Sequence, residues 1–164
     1  MRVLEFENIV RVLNAADVRY LVVGGIAVVA HGYGRVTFDL DLVLQLQPEN
    51  VIRGFRALDT LGYLPRVTVT AEQFADEEKR RLWIREKGMT VLNLHSDRQR
   101  TTPIDLFVTE PFDFDATYAR AIEQPCGGGS FRVVDLETLI QMKEVAGRPK
   151  DLDDVAHLRM AAND

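Results

Sequence analysis

The chain's 164 residues are 46% hydrophobic and 27% charged, which excludes disordered and fibrous classes and leaves one domain of ordinary size with enough apolar surface for a core. A formal net charge of −5 argues against a tight, sequence-independent grip on long nucleic acid, because neutralising phosphates takes a basic surface. The single cysteine, Cys126, excludes an internal disulfide, no run reaches membrane-span length, and Met1-Arg2-Val3-Leu4-Glu5 lacks a signal-peptide pattern, so a cytoplasmic location with no membrane partner is expected.

Taken in chain order, Phe6, Ile9, Val10 and Leu13 recur at helical spacing and predict an amphipathic helix over residues 5–16. Tyr20 to Val23 reads as a buried strand, Gly24-Gly25 as a turn, and Ile26 to Ala30 as the start of a helix. A glycine turn feeding a helix N-terminus offers free backbone N–H groups to an anion. Thr37 to Gln45 alternates, with Phe38, Leu40, Leu42 and Leu44 on one face and Thr37, Asp39, Asp41, Val43 and Gln45 on the other. Asp39 and Asp41 therefore share a face with roughly 6–7 Å between their Cα atoms. Two carboxylates so placed repel, and a hard divalent cation such as Mg²⁺, which takes oxygen ligands from carboxylates and substrate phosphates, removes the conflict. The bland alternative is a solvent-facing edge strand with two solubilising aspartates.

Pro48 to about Leu61 predicts a second long helix, and Leu64 to Thr70 a strand followed by a charged region over Ala71 to Lys79. Arg81 to Arg85, Thr90 to His95 and Pro103 to Val108 read as three strands, the first two joined by a tight hairpin at Lys87-Gly88. The basic run Lys79-Arg80-Arg81 reads as a solvated face or an RNA-docking patch, the former preferred. Asp105 stands alone between Ile104 and Leu106, where an unpaired aspartate is costly and needs a reason. Asp115 is expected to cap a helix to Glu123, Gly127-Gly128-Gly129 to turn the chain, and Ser130 to Val134 to form a strand. Asp135 caps a helix to Ala146, and Pro149 opens the last one. Lys143 follows Leu139 and Ile140 on the same helical face, so its ammonium either snorkels along apolar surface or enters an internal site.

The compound string Gly24-Gly25, thirteen residues, then Asp39-Leu40-Asp41-Leu42 resembles the signature of the DNA polymerase β-like nucleotidyltransferase superfamily. With Ile26-Ala27, His31-Gly32, Arg35 and Thr37 added, it is more similar to the abortive-infection (AbiEii-like) branch, which includes toxins of toxin–antitoxin pairs. A weaker match runs through Ile104-Asp105-Leu106-Phe107 to Leu139-Ile140, Met142-Lys143, then Ala146-Gly147-Arg148 and Lys150-Asp151. The resemblance implies an α/β (α+β type) polymerase β-like fold over residues 1–164, a small mixed sheet with helices packed on one face. It implies transfer of a nucleoside monophosphate from an NTP to an acceptor hydroxyl on RNA such as tRNA, protein or a small molecule, and a cognate antitoxin as partner if the chain is a toxin. Asp39, Asp41 and Asp105 would be the catalytic carboxylates and ligands of two Mg²⁺ ions, with Mn²⁺ as substitute. Gly24, Gly25, Arg35, Thr37 and Lys143 would bind the nucleotide. The sequence departs from the pattern at Gly25, where many members have serine, and it is shorter than the larger toxin members. The other reading is a nucleotidyltransferase-like domain that binds nucleotide or a protein partner without catalysis.

Overall fold

The computed structural model describes residues 1–127 and 129–164. Gly128, at the centre of the expected triple-glycine turn, lies outside the described residues. The chain opens with α1 (Val3–Ala15), β1 (Tyr20–Val23), α2 (Gly24–Ala30), β2 (Leu40–Leu44) and α3 (Pro48–Asp59). It continues with β3 (Leu64–Pro65), α4 (Ala71–Ala75), α5 (Glu77–Lys87), β4 (Val91–His95) and β5 (Ile104–Phe107), then α6 (Phe114–Ala119), β6 (Ile122–Cys126), β7 (Gly129–Val133), α7 (Leu136–Ala146) and α8 (Pro149–Asn163). No described helix is long and apolar enough to cross a membrane.

The strands form one mixed seven-stranded sheet in the order β3-β4-β5-β2-β1-β7-β6. Strand β2 lies at its centre, antiparallel to β1 and parallel to β5. Leu40 and Leu42 pair with Ile104 and Leu106, and these pair with Leu94 and Leu92, so one face is a continuous aliphatic layer. Helix α1 covers that face through the edge-on contact of Phe6 with Phe131 of β7, whose ring centroids are 4.9 Å apart. Helix α3 lies close enough that a Cβ on Gly54 would meet Leu44. The opposite face is buried at Leu21, Val23 and Val43 but polar around Asp41 and Asp105.

Several expected elements differ. Arg81 to Arg85 belongs to α5, not to a strand. Asp76 caps this helix by accepting from the N–H groups of Glu78 and Lys79, acidic residues occupy its first turn, and Gly88 ends it at φ +61° where a hairpin was expected. The apolar triplet Leu82-Trp83-Ile84 is too short for periodicity to separate strand from helix. The expected strand over Leu64 to Thr70 pairs only at Leu64 and Pro65, and Thr70 instead caps α4 through a capping box with Gln73. Helix α6 is capped by Asp113 rather than Asp115 and ends at Ala119, after which Ile122 and Glu123 enter β6. The carboxylate strand begins at Leu40, so Thr37, Phe38 and Asp39 sit in the loop before it, with Phe38 70% exposed.

Candidate active site

The sheet's register creates the site. Asp41 of β2 stands directly beside Asp105 of the parallel strand β5, and Asp105 stands opposite Asn93 of β4. Arg66, just past β3, completes the row through its backbone N–H to the Asn93 carbonyl and its Nε to Asn93 Oδ1. Asn93 Nδ2 in turn donates to Asp105 Oδ1 at 2.7 Å. A polar row of Asp41, Asp105 and Asn93 therefore crosses three strands on one face of an otherwise apolar sheet and ends on Arg66 beyond β3.

Burial, then the charges of Asp105 and Asp39, raise the Asp41 carboxyl to about 7, against the opposing pull of Lys143 and the Gly25 backbone N–H. Asp105 is also raised, chiefly by burial, with Asn93 and Arg66 pulling it down and Asp39 pushing it up. Lys143 and Arg66 do not offset the crowding and desolvation, so the pair is short of counter-charge.

Each glycine of the turn has a separate steric reason. Gly24 adopts φ +66°, and a Cβ there would lie 2.0 Å from Asp41 Oδ2, so the chain can pass the carboxylate only without a side chain. At Gly25 a Cβ would lie 2.5 Å from Thr37 Oγ1 and 3.2 Å from Arg35 Nη2. The Thr37 hydroxyl thus occupies the space that a serine at position 25 would need.

Lys143 is 8% exposed and does not snorkel to solvent. Its Nζ lies 2.9 Å from Asp154 Oδ2 and 3.4 Å from Asp151 Oδ1, two carboxylates that are each 1% exposed. Arg35 also grips Asp154, with Nε 3.1 Å from Oδ1 and Nη2 3.2 Å from Oδ2. Arg148 grips Asp151, with Nε 2.6 Å from Oδ2 and Nη2 3.2 Å from Oδ1. Burial works against the Asp151 charge, but Arg148 and Lys143 outweigh it and hold the carboxyl below its ordinary value. Three cations on two carboxylates leave one surplus positive charge beside the Asp41 pocket, and two of the three Lys143 donors are already engaged.

All eight candidate residues, Gly24, Gly25, Arg35, Thr37, Asp39, Asp41, Asp105 and Lys143, line one cleft of about 290 Å³. Asp39 lies on its exposed rim. Among the described residues, no group of three His, Cys, Asp or Glu side chains is close enough to hold a metal ion alone. The donor set fits a different kind of site, an open one of carboxylate oxygens that a hard divalent ion completes with water and substrate oxygens. Asn93, Arg66 and Asp154 had not been singled out, and Asp151 and Arg148 only as parts of a C-terminal string. A signal existed for the aspartates: Asp151, Asp154, Val155 and Leu158 form a single buried stripe of α8, where two acids require buried partners.

No protein-family model and no curated protein sequence matches the chain. Solved structures do. The lincosamide antibiotic adenylyltransferase LnuA, solved with lincomycin bound, is similar with a TM-score of 0.61 and 14% identity, covering 94% of this chain and 94% of that one. ANT(2'')-Ia, solved in complex with adenylyl-2''-tobramycin, gives 0.55 and 13% identity over 98% of this chain and 87% of that one. An antigenic nucleotidyltransferase-like protein from Paracoccidioides brasiliensis gives 0.52 and 16% identity over 95% and 75%. At these identities the likeness is one of fold, and the chain has the α/β nucleotidyltransferase fold.

Proposed function

We propose that the chain is a metal-dependent nucleotidyltransferase that moves a nucleoside monophosphate from an NTP to an acceptor hydroxyl. The observation that carries this reading is the register pairing of Asp41 with Asp105 beside the Gly24-Gly25 turn, which concentrates desolvated negative charge at the mouth of a cleft backed by Lys143 and Arg35. Asp39, Asp41 and Asp105 would hold the divalent cation, Mg²⁺ by the hardness of the donors; when bound, it supplies counter-charge and Lewis-acid polarisation of phosphoryl oxygens. The remaining work falls to the chain. The Gly24-Gly25 turn admits the triphosphate against backbone, and the surplus positive charge of the Arg35–Asp154–Lys143–Asp151–Arg148 network favours its anionic oxygens. Asp105, oriented by Asn93, accepts the acceptor's hydroxyl proton.

The structural neighbours include an adenylyltransferase with bound lincomycin and an enzyme with an adenylylated tobramycin, which favours a small-molecule acceptor here. A toxin role with a cognate antitoxin rests on the resemblance of the glycine–aspartate string alone.

Calorimetric titration of each NTP, with Mg²⁺ and then with EDTA, tests the site. Binding should require the metal, and Asp105→Asn should keep much of that binding while losing transfer of the α-labelled nucleotide. Equal affinity in EDTA would remove the metal-site reading. Metal-dependent binding with no transfer to any acceptor in cell extract would favour the non-catalytic binding module.

A further inference from the structure

The sheet face that carries the carboxylates continues beyond them as an apolar floor. Phe107 lies two steps after Asp105 on β5, Val91 two steps before Asn93 on β4, and the two are paired in register. Together they floor a second cleft, of about 760 Å³, that shares Asp41 and Asp105 with the first. Its walls are Ile84 and Met89 around the end of α5, Phe112 after β5, and Met142 and Val145 of α7. Among its described lining residues, Arg148 is the one charged side chain besides the two carboxylates, and its guanidinium is already held by Asp151. Polar groups are few and uncharged: Thr90, Thr109, Thr138 and Gln141.

This lining discriminates between acceptor classes. A polycation would find no acidic residue on the walls beyond the pair that the metal and phosphates require. A polynucleotide would find no track of cations, and its phosphates would meet the same two carboxylates. An apolar body gains from Phe107, Phe112, Met89 and Met142, while a few hydroxyl and amide groups orient it, as in sites for drug-sized ligands.

We infer that this second cleft is the acceptor subsite and that the acceptor is a neutral, mainly apolar small molecule bearing a hydroxyl; the inference rests on the transferase reading above. The acceptor oxygen forms a bond to the α-phosphorus of the NTP. The bond from that phosphorus to the bridging oxygen breaks, its electron pair leaves with pyrophosphate, and the hydroxyl proton passes to the Asp105 carboxylate.

The test uses the whole chain and the neutral naphthalene dye prodan, whose emission shifts in apolar surroundings. Bound dye is challenged with a pool of neutral arylalkyl alcohols, with the polycation kanamycin and with total tRNA, and each is also offered as acceptor with Mg²⁺ and α-labelled NTPs. Dye should bind saturably, be displaced by the alcohols alone, and label should enter the alcohol pool. The double variant Gln141→Glu with Val145→Glu, at two exposed positions on the cleft wall, should weaken dye binding at least tenfold with unchanged melting temperature and unchanged Mg-nucleotide affinity. No dye binding, dye binding indifferent to the double variant, or label entering kanamycin or tRNA in preference would overturn the assignment while leaving the transferase reading intact. Bound dye with no Mg-nucleotide bound would remove the transferase reading, and the acceptor role with it.

Discussion

Asp41→Asn gives the sharpest test of the electrostatics. Burial, Asp105 and Asp39 raise the Asp41 carboxyl from 3.8 to about 7, so between those values the folded chain holds a proton that the unfolded chain has released. Stability from this group is therefore fully present below the unfolded value and is lost as pH rises through the folded one. The loss is about 1.4 kcal/mol per pH unit and sums to about 4 kcal/mol by pH 8. Asparagine cannot ionise, so the variant lacks this slope, although its amide receives the Gly25 N–H less well than a carboxylate does. In EDTA the variant should be more stable than the parent by about 2–4 kcal/mol at pH 8 and within about 1 kcal/mol of it at pH 4.5. Urea unfolding at both pH values reads this directly, and adding Mg²⁺ at pH 8 should stabilise the parent but not the variant. A difference that is the same at both pH values, or a variant less stable at pH 8 in EDTA, would refute the reasoning.

Three further changes probe the surroundings of that carboxylate. Gly24→Ala forces a side chain into φ +66° and against Asp41 Oδ2, so thermal melts should show a loss of about 2 kcal/mol or more, and calorimetry at least a tenfold loss of Mg-nucleotide affinity. Asn93→Leu removes the donor that lowers the Asp105 carboxyl; the acid limb of the transfer rate should move to higher pH, and an unmoved limb would show that Asn93 does not tune this group. Lys143→Met leaves Asp151 with Arg148 and Asp154 with Arg35 but strips a shared cation from both, so chemical denaturation should report about 2–3 kcal/mol of destabilisation even without nucleotide.

What was legible in the sequence follows from how local the determining interaction is. The helix of Phe6, Ile9, Val10 and Leu13 and the strand Tyr20–Val23 are set by periodicity and burial of single segments, and both stand where expected. Asp135, Gly147 and Pro149 bound the last two helices because caps act within one turn. Asp105 was conspicuous as a lone acid among apolar strand residues, and the sheet places it beside Asp41. Arg81 to Arg85 misled because a short apolar triplet has no period, whereas the Asp76 cap and Gly88 stop were the informative residues. Asn93 was illegible for another reason. Its importance lies in facing Asp105 across a strand pair, and cross-strand register is invisible until the strands are paired.

The same distinction explains why Lys143 was only half understood. Its helical face was readable, since Leu139 and Lys143 lie four apart, but its partners are on the following helix and cannot be inferred from α7 alone. Once α8 packs against α7, Asp154 takes Lys143 on one side and Arg35 on the other, and Arg35 in turn touches the space beside Gly25. The buried acid of the last helix therefore sets the position of a cation in the loop before β2, more than a hundred residues earlier in the chain. Two carboxylates that are each 1% exposed would be strongly destabilising without these cations, and the cations would wander without the carboxylates. The positive charge lining the cleft is thus fixed in place by the packing of α8 and by no property of the glycine–aspartate string itself.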